Sequence, residues 1–306
     1  MLKKIIFMGT PIFSVPILKS LYQNGYPLAA VYTQAPQKSN RGMRVTKSPV
    51  HNFAETISLD VRTPITLRNN KEEYDFLKKI NADLALVVAY GQIIPENYLS
   101  LTKKGFINIH ASLLPKYRGA APIQRSIMNL EKQTGISIMK INSKLDEGQV
   151  CNAYKIDIDQ KDNSDELSDK LSAIAAEKIL DDIDNILEDK AIFKDQDHKQ
   201  ASYAKKIDKK EGSIDWNMPA KNIIGKINGL NGAYFFFKGA RYKILRAELN
   251  NSVGKPGEII GDSLEIACKE NSIKVLMIQR EGKNPQKTSE FLLGSQIKKG
   301  LFLNNV

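Results

Sequence analysis

Over its first half the chain alternates short runs of consecutive apolar residues with stretches in which apolar residues return at helical spacing, and few folds accept that alternation. Residues 4–8, 28–32, 84–88 and 106–109 are runs of the first kind. A strand that is apolar on both sides must be covered on both faces, which is the situation of a parallel sheet flanked by crossover helices. Residues 13–23, 71–80 and 122–128 carry the helical spacing between these runs. Residues 134–140 and 149–157 read as two later strands around the glycine-containing loop 144–148. A long amphipathic helix follows, because Leu167, Leu171, Ile174, Ala175, Ile179 and Ile183 fall near one face. Asn163 or Ser164 is its expected cap. These patterns predict an α/β domain with a Rossmann-like parallel sheet over residues 1–188.

Residues 189–210 are polar and charged and read as a linker. The texture then changes. Residues 233–237, 241–247, 257–260, 264–268 and 273–278 are short strands separated by Gly, Asn and Lys, which predicts a small β-barrel or sandwich over residues 211–306. A length of 306 residues suits two such domains, and a hydrophobic share of 42% is enough to give each a core. No apolar run approaches the roughly 20 residues that cross a bilayer. The opening apolar run is cut by Gly9-Thr10-Pro11 where a secretory leader would continue. Two cysteines without a pairing pattern suit a reducing cytoplasm. The net charge of +11 is uneven: from Lys206 onward 17 Lys and Arg face 10 Asp and Glu, against 28 and 24 before it. That excess points to an acidic partner such as nucleic acid, although a Lys-rich composition alone supplies part of it.

The first turn, Gly9-Thr10-Pro11-Ile12-Phe13-Ser14, lacks the second and third glycines of a dinucleotide fingerprint, so it is expected to shape a pocket and not to cradle a pyrophosphate. The densest polar cluster at a strand end is Asn108-Ile109-His110. Strand alternation puts Asn108 and His110 on one face and Ile109 on the other. Two hydrogen-bond donors side by side are what a carbonyl developing negative charge requires. A satisfied Asn/His pair closing a strand has the same pattern. Asp146, in the tight loop Leu145-Asp146-Glu147-Gly148, is placed to orient His110 and hold a water for proton relay, or is simply turn chemistry. His51, His110 and His198 have no metal-ligand spacing, and no metal is expected.

Several segments together resemble the methionyl-tRNA formyltransferase family. They are Phe7-Met8-Gly9-Thr10-Pro11, Val88-Ala89-Tyr90-Gly91-Gln92-Ile93-Ile94-Pro95, residues 106–125 including Arg118-Gly119-Ala120-Ala121-Pro122, Thr134-Gly135-Ile136-Ser137-Ile138-Met139 and Leu145-Asp146-Glu147-Gly148. The resemblance implies a formyltransferase domain followed by an OB-like barrel, with 10-formyltetrahydrofolate as formyl donor and initiator methionyl-tRNA as acceptor. Asn108 and His110 would stabilise the tetrahedral intermediate, and Asp146 would support His110. Ser112, Leu113, Leu114 and Pro115 correspond to the folate-binding segment, with Ile93 and Ile94 as apolar walls for the pterin. The family usually acts as a monomer.

Residues 34–49 form a basic loop with Lys38, Arg41, Arg44 and Lys47, which the resemblance assigns to the tRNA acceptor stem. Gln37-Lys38-Ser39-Asn40 stands where the family commonly has a Pro- and Arg-containing run, and a Pro-rich run is missing between Asn231 and Gly232. In the second domain Lys238, Arg241, Lys243 and Lys255 are the candidate phosphate contacts. Trp216 and the aromatics 234–237 are expected in the barrel core more than against bases. Two other readings remain. One is a 10-formyltetrahydrofolate-dependent transferase or hydrolase with a small-molecule acceptor. The other is an RNA-binding protein whose catalytic domain is vestigial.

Overall fold

The computed structural model describes residues 3–39 and 44–303. The chain folds into two compact units that alternate along the sequence. The first comprises Met1–Gly119, Thr134–Ile156 and Ser168–Tyr203; the second comprises Ala120–Gln133, Asp157–Leu167 and Ala204–Val306. The stretch expected as a linker therefore divides: its residues through Tyr203 cluster with the first unit, and from Ala204 the chain clusters with the second.

In chain order the elements up to the long helix are β1 (Ile5–Gly9), α1 (Val15–Gln23), β2 (Leu28–Tyr32), β3 (Gln37–Ser39), β4 (Arg44–Thr46), α2 (Pro49–Thr56), β5 (Val61–Arg62), α3 (Lys71–Ile80), β6 (Leu84–Val88), β7 (Phe106–His110), α4 (Pro122–Met128), β8 (Gln133–Lys140), β9 (Val150–Asp157) and α5 (Ser164–Leu187). Seven strands form one sheet in the order β5-β2-β1-β6-β7-β8-β9. Strands β5, β2, β1, β6 and β7 pair in parallel, as the apolar runs require. Strand β8 runs antiparallel to β7, so the sheet is mixed and dominated by its parallel strands.

Both faces of the parallel strands are covered. Ile6, Met8, Tyr32, Ala85, Val87 and Phe106 join one core cluster with Leu77 of α3. The intervening Ile5, Phe7, Leu84 and Leu86 are equally buried. Helix α5 buries Leu171, Ala175, Ile179 and Ile183 and is tied to α1, whose Ser20 hydroxyl donates to the Ala176 carbonyl at 2.7 Å. Its start is a reciprocal cap. Asn163 Oδ1 accepts from the Glu166 backbone amide at 2.9 Å, and Glu166 Oε2 accepts from the Asn163 amide at 2.9 Å.

The second unit adds α6 (Ala220–Gly229), β10 (Ala233–Phe237), β11 (Ala240–Asn250), β12 (Ile259–Gly261), β13 (Glu265–Ala267), β14 (Ser272–Arg280), β15 (Gln286–Lys287) and α7 (Thr288–Leu293). Its strands make an antiparallel sheet in the order β10-β11-β14-β13-β12, with β15 beside β14. Trp216, Ile223, Ile227, Phe235, Ile244, Ile266, Val275 and Ile278 fill its core. Trp216 meets Phe235 edge to face, with ring centroids 5.9 Å apart. Helices α4 and α6 pack together closely, and Gly225 and Gly229 of α6 allow it: a Cβ on Gly229 would lie 2.6 Å from the Met128 side chain.

Candidate active site

The loops that follow β6 and β7 meet at the carboxyl edge of the parallel strands, where open α/β sheets place ligands. The first turn is fixed there by its hydroxyls. Thr10 donates to the Tyr90 carbonyl and Ser14 to the Val88 carbonyl, each at 2.7 Å. This turn braces the end of β6.

Strand β7 delivers Asn108 and His110 on one face; Asn108 is half-buried and His110 is buried. Among the described residues the Asn108 side-chain amide makes no hydrogen bond, so its donors are available to a ligand. His110 Nε2 lies 2.9 Å from the Tyr117 carbonyl oxygen. A carbonyl only accepts, so Nε2 carries the hydrogen, and a second ring proton would sit on Nδ1. Nδ1 faces Asp146 Oδ2 at 3.7 Å. That separation is ion-pair distance and longer than a hydrogen bond, so Nδ1, when it carries the second proton, can donate to another acceptor while the carboxylate supplies charge.

Asp146 is held from two sides. The Gly119 backbone amide donates to its Oδ2 at 2.8 Å, and its own backbone takes the left-handed conformation, with φ of 50°. Gly148 completes the turn because a Cβ there would lie 1.8 Å from the Lys140 carbonyl oxygen. Buried between these segments is the Arg118 side chain, 1% exposed. Its Nε and Nη2 donate to Gln196 Oε1 at 3.1 and 2.8 Å, and its Nη1 lies 3.2 Å from Glu147 Oε1. Sequence reasoning gave Gln196 no role, because nothing in a polar stretch 78 residues away marks a partner for Arg118.

The residues assigned to folate divide by environment. Ser112 is buried and its hydroxyl donates to the Lys116 carbonyl at 2.6 Å, while its carbonyl accepts from Ser137 Oγ at 2.7 Å. Its side chain is thus spent on closing the turn. Leu113, Leu114 and Pro115 are half-buried, and the Leu114–Pro115 peptide is cis. Ile93 is 91% exposed, whereas Ile94 packs against the core cluster of the sheet. Among the described residues no group of three or more His, Cys, Asp or Glu side chains is placed to hold a metal ion.

The candidate RNA contacts also divide. Arg41 lies outside the described residues, and Lys38 and Arg44 are placed only as backbone in the β3–β4 ribbon. Lys47 is engaged with Glu55, its Nζ 2.6 and 2.8 Å from the two carboxylate oxygens. In the second unit Arg241 pairs with Glu281 at 3.3 Å, and Lys238 donates to Gln296 at 3.1 Å. Lys243 is half-buried against Gly232, and Lys255 is exposed. Lys238 also lines a concavity of about 650 Å³ with Phe237, Tyr242, Arg280, Lys283 and Phe291. Trp216 and Phe235 are core residues, while Phe236 is exposed.

Comparison with known proteins fits these features. Residues 3–183 match the family described as "Formyl transferase", and residues 206–296 match "Formyl transferase, C-terminal domain". The methionyl-tRNA formyltransferase of Pelagibacter ubique is 61% identical over 310 aligned positions, covering 100% of both chains. That of Caldanaerobacter subterraneus subsp. tengcongensis is 41% identical, over 98% of this chain and 99% of its own. Among solved structures, an N-formyltransferase from Helicobacter canadensis in complex with folinic acid and dTDP-3-aminofucose superposes with a TM-score of 0.68 at 19% identity, covering 90% of this chain and 99% of that one. At that identity the likeness establishes the fold. The two full-length relatives carry the assignment further: this chain belongs to the methionyl-tRNA formyltransferase family.

Proposed function

We infer that this chain transfers the formyl group of 10-formyltetrahydrofolate to the α-amino group of methionine on initiator tRNA, for translation initiation. The observation that carries this reading is similarity through both units, end to end, to methionyl-tRNA formyltransferases.

Asn108, His110 and Asp146 are the residues we assign to the chemistry. The amine of a charged methionine has a pKa near 8 and is partly free base at neutral pH, so the site has no need of a strong base. Its nitrogen bonds the formyl carbon, and the bond from that carbon to the folate nitrogen breaks. The amine's proton leaves with the folate nitrogen, which also takes the bonding electron pair. The Asn108 amide donates to the formyl oxygen as negative charge develops on it. A proton on His110 Nδ1 is the second donor, with Asp146 as its counter-charge at 3.7 Å. Leu113, Leu114, Pro115 and the exposed Ile93 offer apolar surface to the pterin. The basic residues 38, 41, 44 and 47 and the second unit's Lys238, Arg241, Lys243 and Lys255 are assigned to RNA phosphates. Neither Cys151 nor Cys268 is in a disulfide, which suits a cytoplasmic enzyme, and the family resemblance implies a monomer.

The test is direct. Initiator tRNA charged with labelled methionine is incubated with micromolar protein and 10-formyltetrahydrofolate, and formylmethionyl-tRNA is the expected product. Its absence, with formate released instead, would move the chain to the hydrolases.

A further inference from the structure

We propose that Arg118 and Gln196 are positioning residues that fix His110 and Asp146 relative to each other. This rests on the catalytic assignment of that pair given above. The segment 117–119 reaches both groups, each through one of its end residues. The Tyr117 carbonyl accepts from His110 Nε2 at 2.9 Å, and the Gly119 amide donates to Asp146 Oδ2 at 2.8 Å. Arg118, between them, sends its side chain inward to Gln196, Glu147 and His198.

Gln196 closes the circuit. Its Oε1 accepts both Arg118 bonds, and its Nε2 donates to the carbonyls of Asp146 at 2.9 Å and Gly148 at 2.8 Å. One amide thus joins the strap that orients the imidazole to the turn that carries the carboxylate. The strap is also tied along its backbone. Ser202 Oγ accepts from the Tyr117 amide at 2.9 Å and the Ser202 carbonyl from the Arg118 amide at 2.8 Å.

The backbone needs such ties. Tyr117 at φ 59°, Gly119 at φ 118° and Asp146 at φ 50° all lie in the left-handed region. Non-glycine residues stay there only where the surroundings over-determine them. Stability is a poor explanation for the buried guanidinium. Well-packed apolar side chains of similar volume often replace a buried ion pair without loss. What an apolar residue does not supply is a fixed direction, and five directional bonds of 2.8–3.2 Å surround this one guanidinium and one amide.

Gln196→Glu separates positioning from packing. It keeps the volume and the acceptor for Arg118, removes the donors to the two turn carbonyls and sets a carboxylate oxygen against them. The expected result in the formylation assay is a kcat lower by about tenfold to a hundredfold, with KM for both substrates within about twofold. In an Asp146→Asn background the same change should cost less than about threefold, because residues acting through one group are non-additive. A loss carried by KM, or a kcat loss repeated in full on Asp146→Asn, overturns the proposal.

Gln196→Met and [15N]histidine spectra provide an arm independent of turnover. The chain has only three histidines, so the ring signals are few. His110 should shift in the variant while His51 stays, and an unmoved His110 overturns the proposal even if activity falls. Wild-type protein that makes no formylmethionyl-tRNA would instead remove the functional reading, leaving the spectra to judge Gln196.

Discussion

Asp146→Asn is the substitution whose effect follows most directly from the site. Asparagine tolerates the left-handed backbone at this position, and its Oδ1 can accept from the Gly119 amide as the carboxylate oxygen does. The fold is therefore retained and only the charge is lost. At 3.7 Å, a carboxylate and a cationic ring attract by about 4.5 kcal/mol at an effective permittivity of about 20. The Gly119 amide shares that carboxylate, so this figure is a ceiling. In rate terms the ceiling is roughly two-thousandfold, and the expected loss in kcat is about a hundredfold or more. Single-turnover formylation at saturating tRNA and folate reads it, with thermal unfolding and tRNA filter binding as controls. A variant within about fivefold of wild type would show that Asp146 gives His110 no electrostatic support. Loss of tRNA binding in its place would reassign the residue.

Three other measurements bear on different parts of the molecule. The affinity for tRNA should fall steeply with salt, and Lys255→Ala should flatten the log–log slope by about one, the share of a single phosphate contact; a flat wild-type response removes the basic residues from the RNA account. The Arg125 guanidinium grips Glu211 through both carboxylate oxygens and holds its carboxyl down at about 2. Its stabilisation is thus present above the ordinary carboxylate range and lost as pH falls toward 2. Glu211→Gln should lower stability at pH 7 by about 1 kcal/mol, discounted for partial exposure, and should narrow its gap to wild type in acid; a gap that widens in acid contradicts the pairing. Burial pushes the thiols of Cys151 and Cys268 up to about 12, so both stay protonated at pH 8. Alkylation should be far slower in the folded protein than in denaturant, and rapid labelling of native protein would contradict that.

The fold was most legible where one residue pattern decides one element. The runs that became β1, β6 and β7 are apolar on both faces, so their strands had to be covered on both sides. Helix α5 announced its start through Asn163 and Glu166, whose reciprocal bonds are local in sequence. The direction of β8 was not legible, because alternation says which side faces in and nothing about which way the strand runs. Charge counting was a coarser guide still. It finds Lys47 and Arg241 but not the Glu55 and Glu281 that engage them. The residues around the site were hardest to read. Asn108 and His110 stand out by spacing two apart, whereas Arg118, Glu147 and Gln196 are polar residues in polar surroundings whose bonds to one another exist only after folding.

The interleaving of the two units sets an order of events during synthesis. Ribosomes release a chain from its N-terminus at about 5–20 residues per second. Strands β1 to β9 are all available once residue 157 has emerged. At that moment the nascent chain contains Asn108, His110 and Asp146 but neither Gln196 nor Ser202, the residues that tie the strap and the turn. Those arrive some 40 residues later, close to Tyr203, the last residue of the first unit. A fragment that stops at residue 188 therefore carries every side chain assigned to the chemistry and lacks the two that join its halves. If Gln196 positions the pair as proposed, activity switches on late in translation, once the segment 196–202 has been made, and a chain ending at residue 188 is inactive.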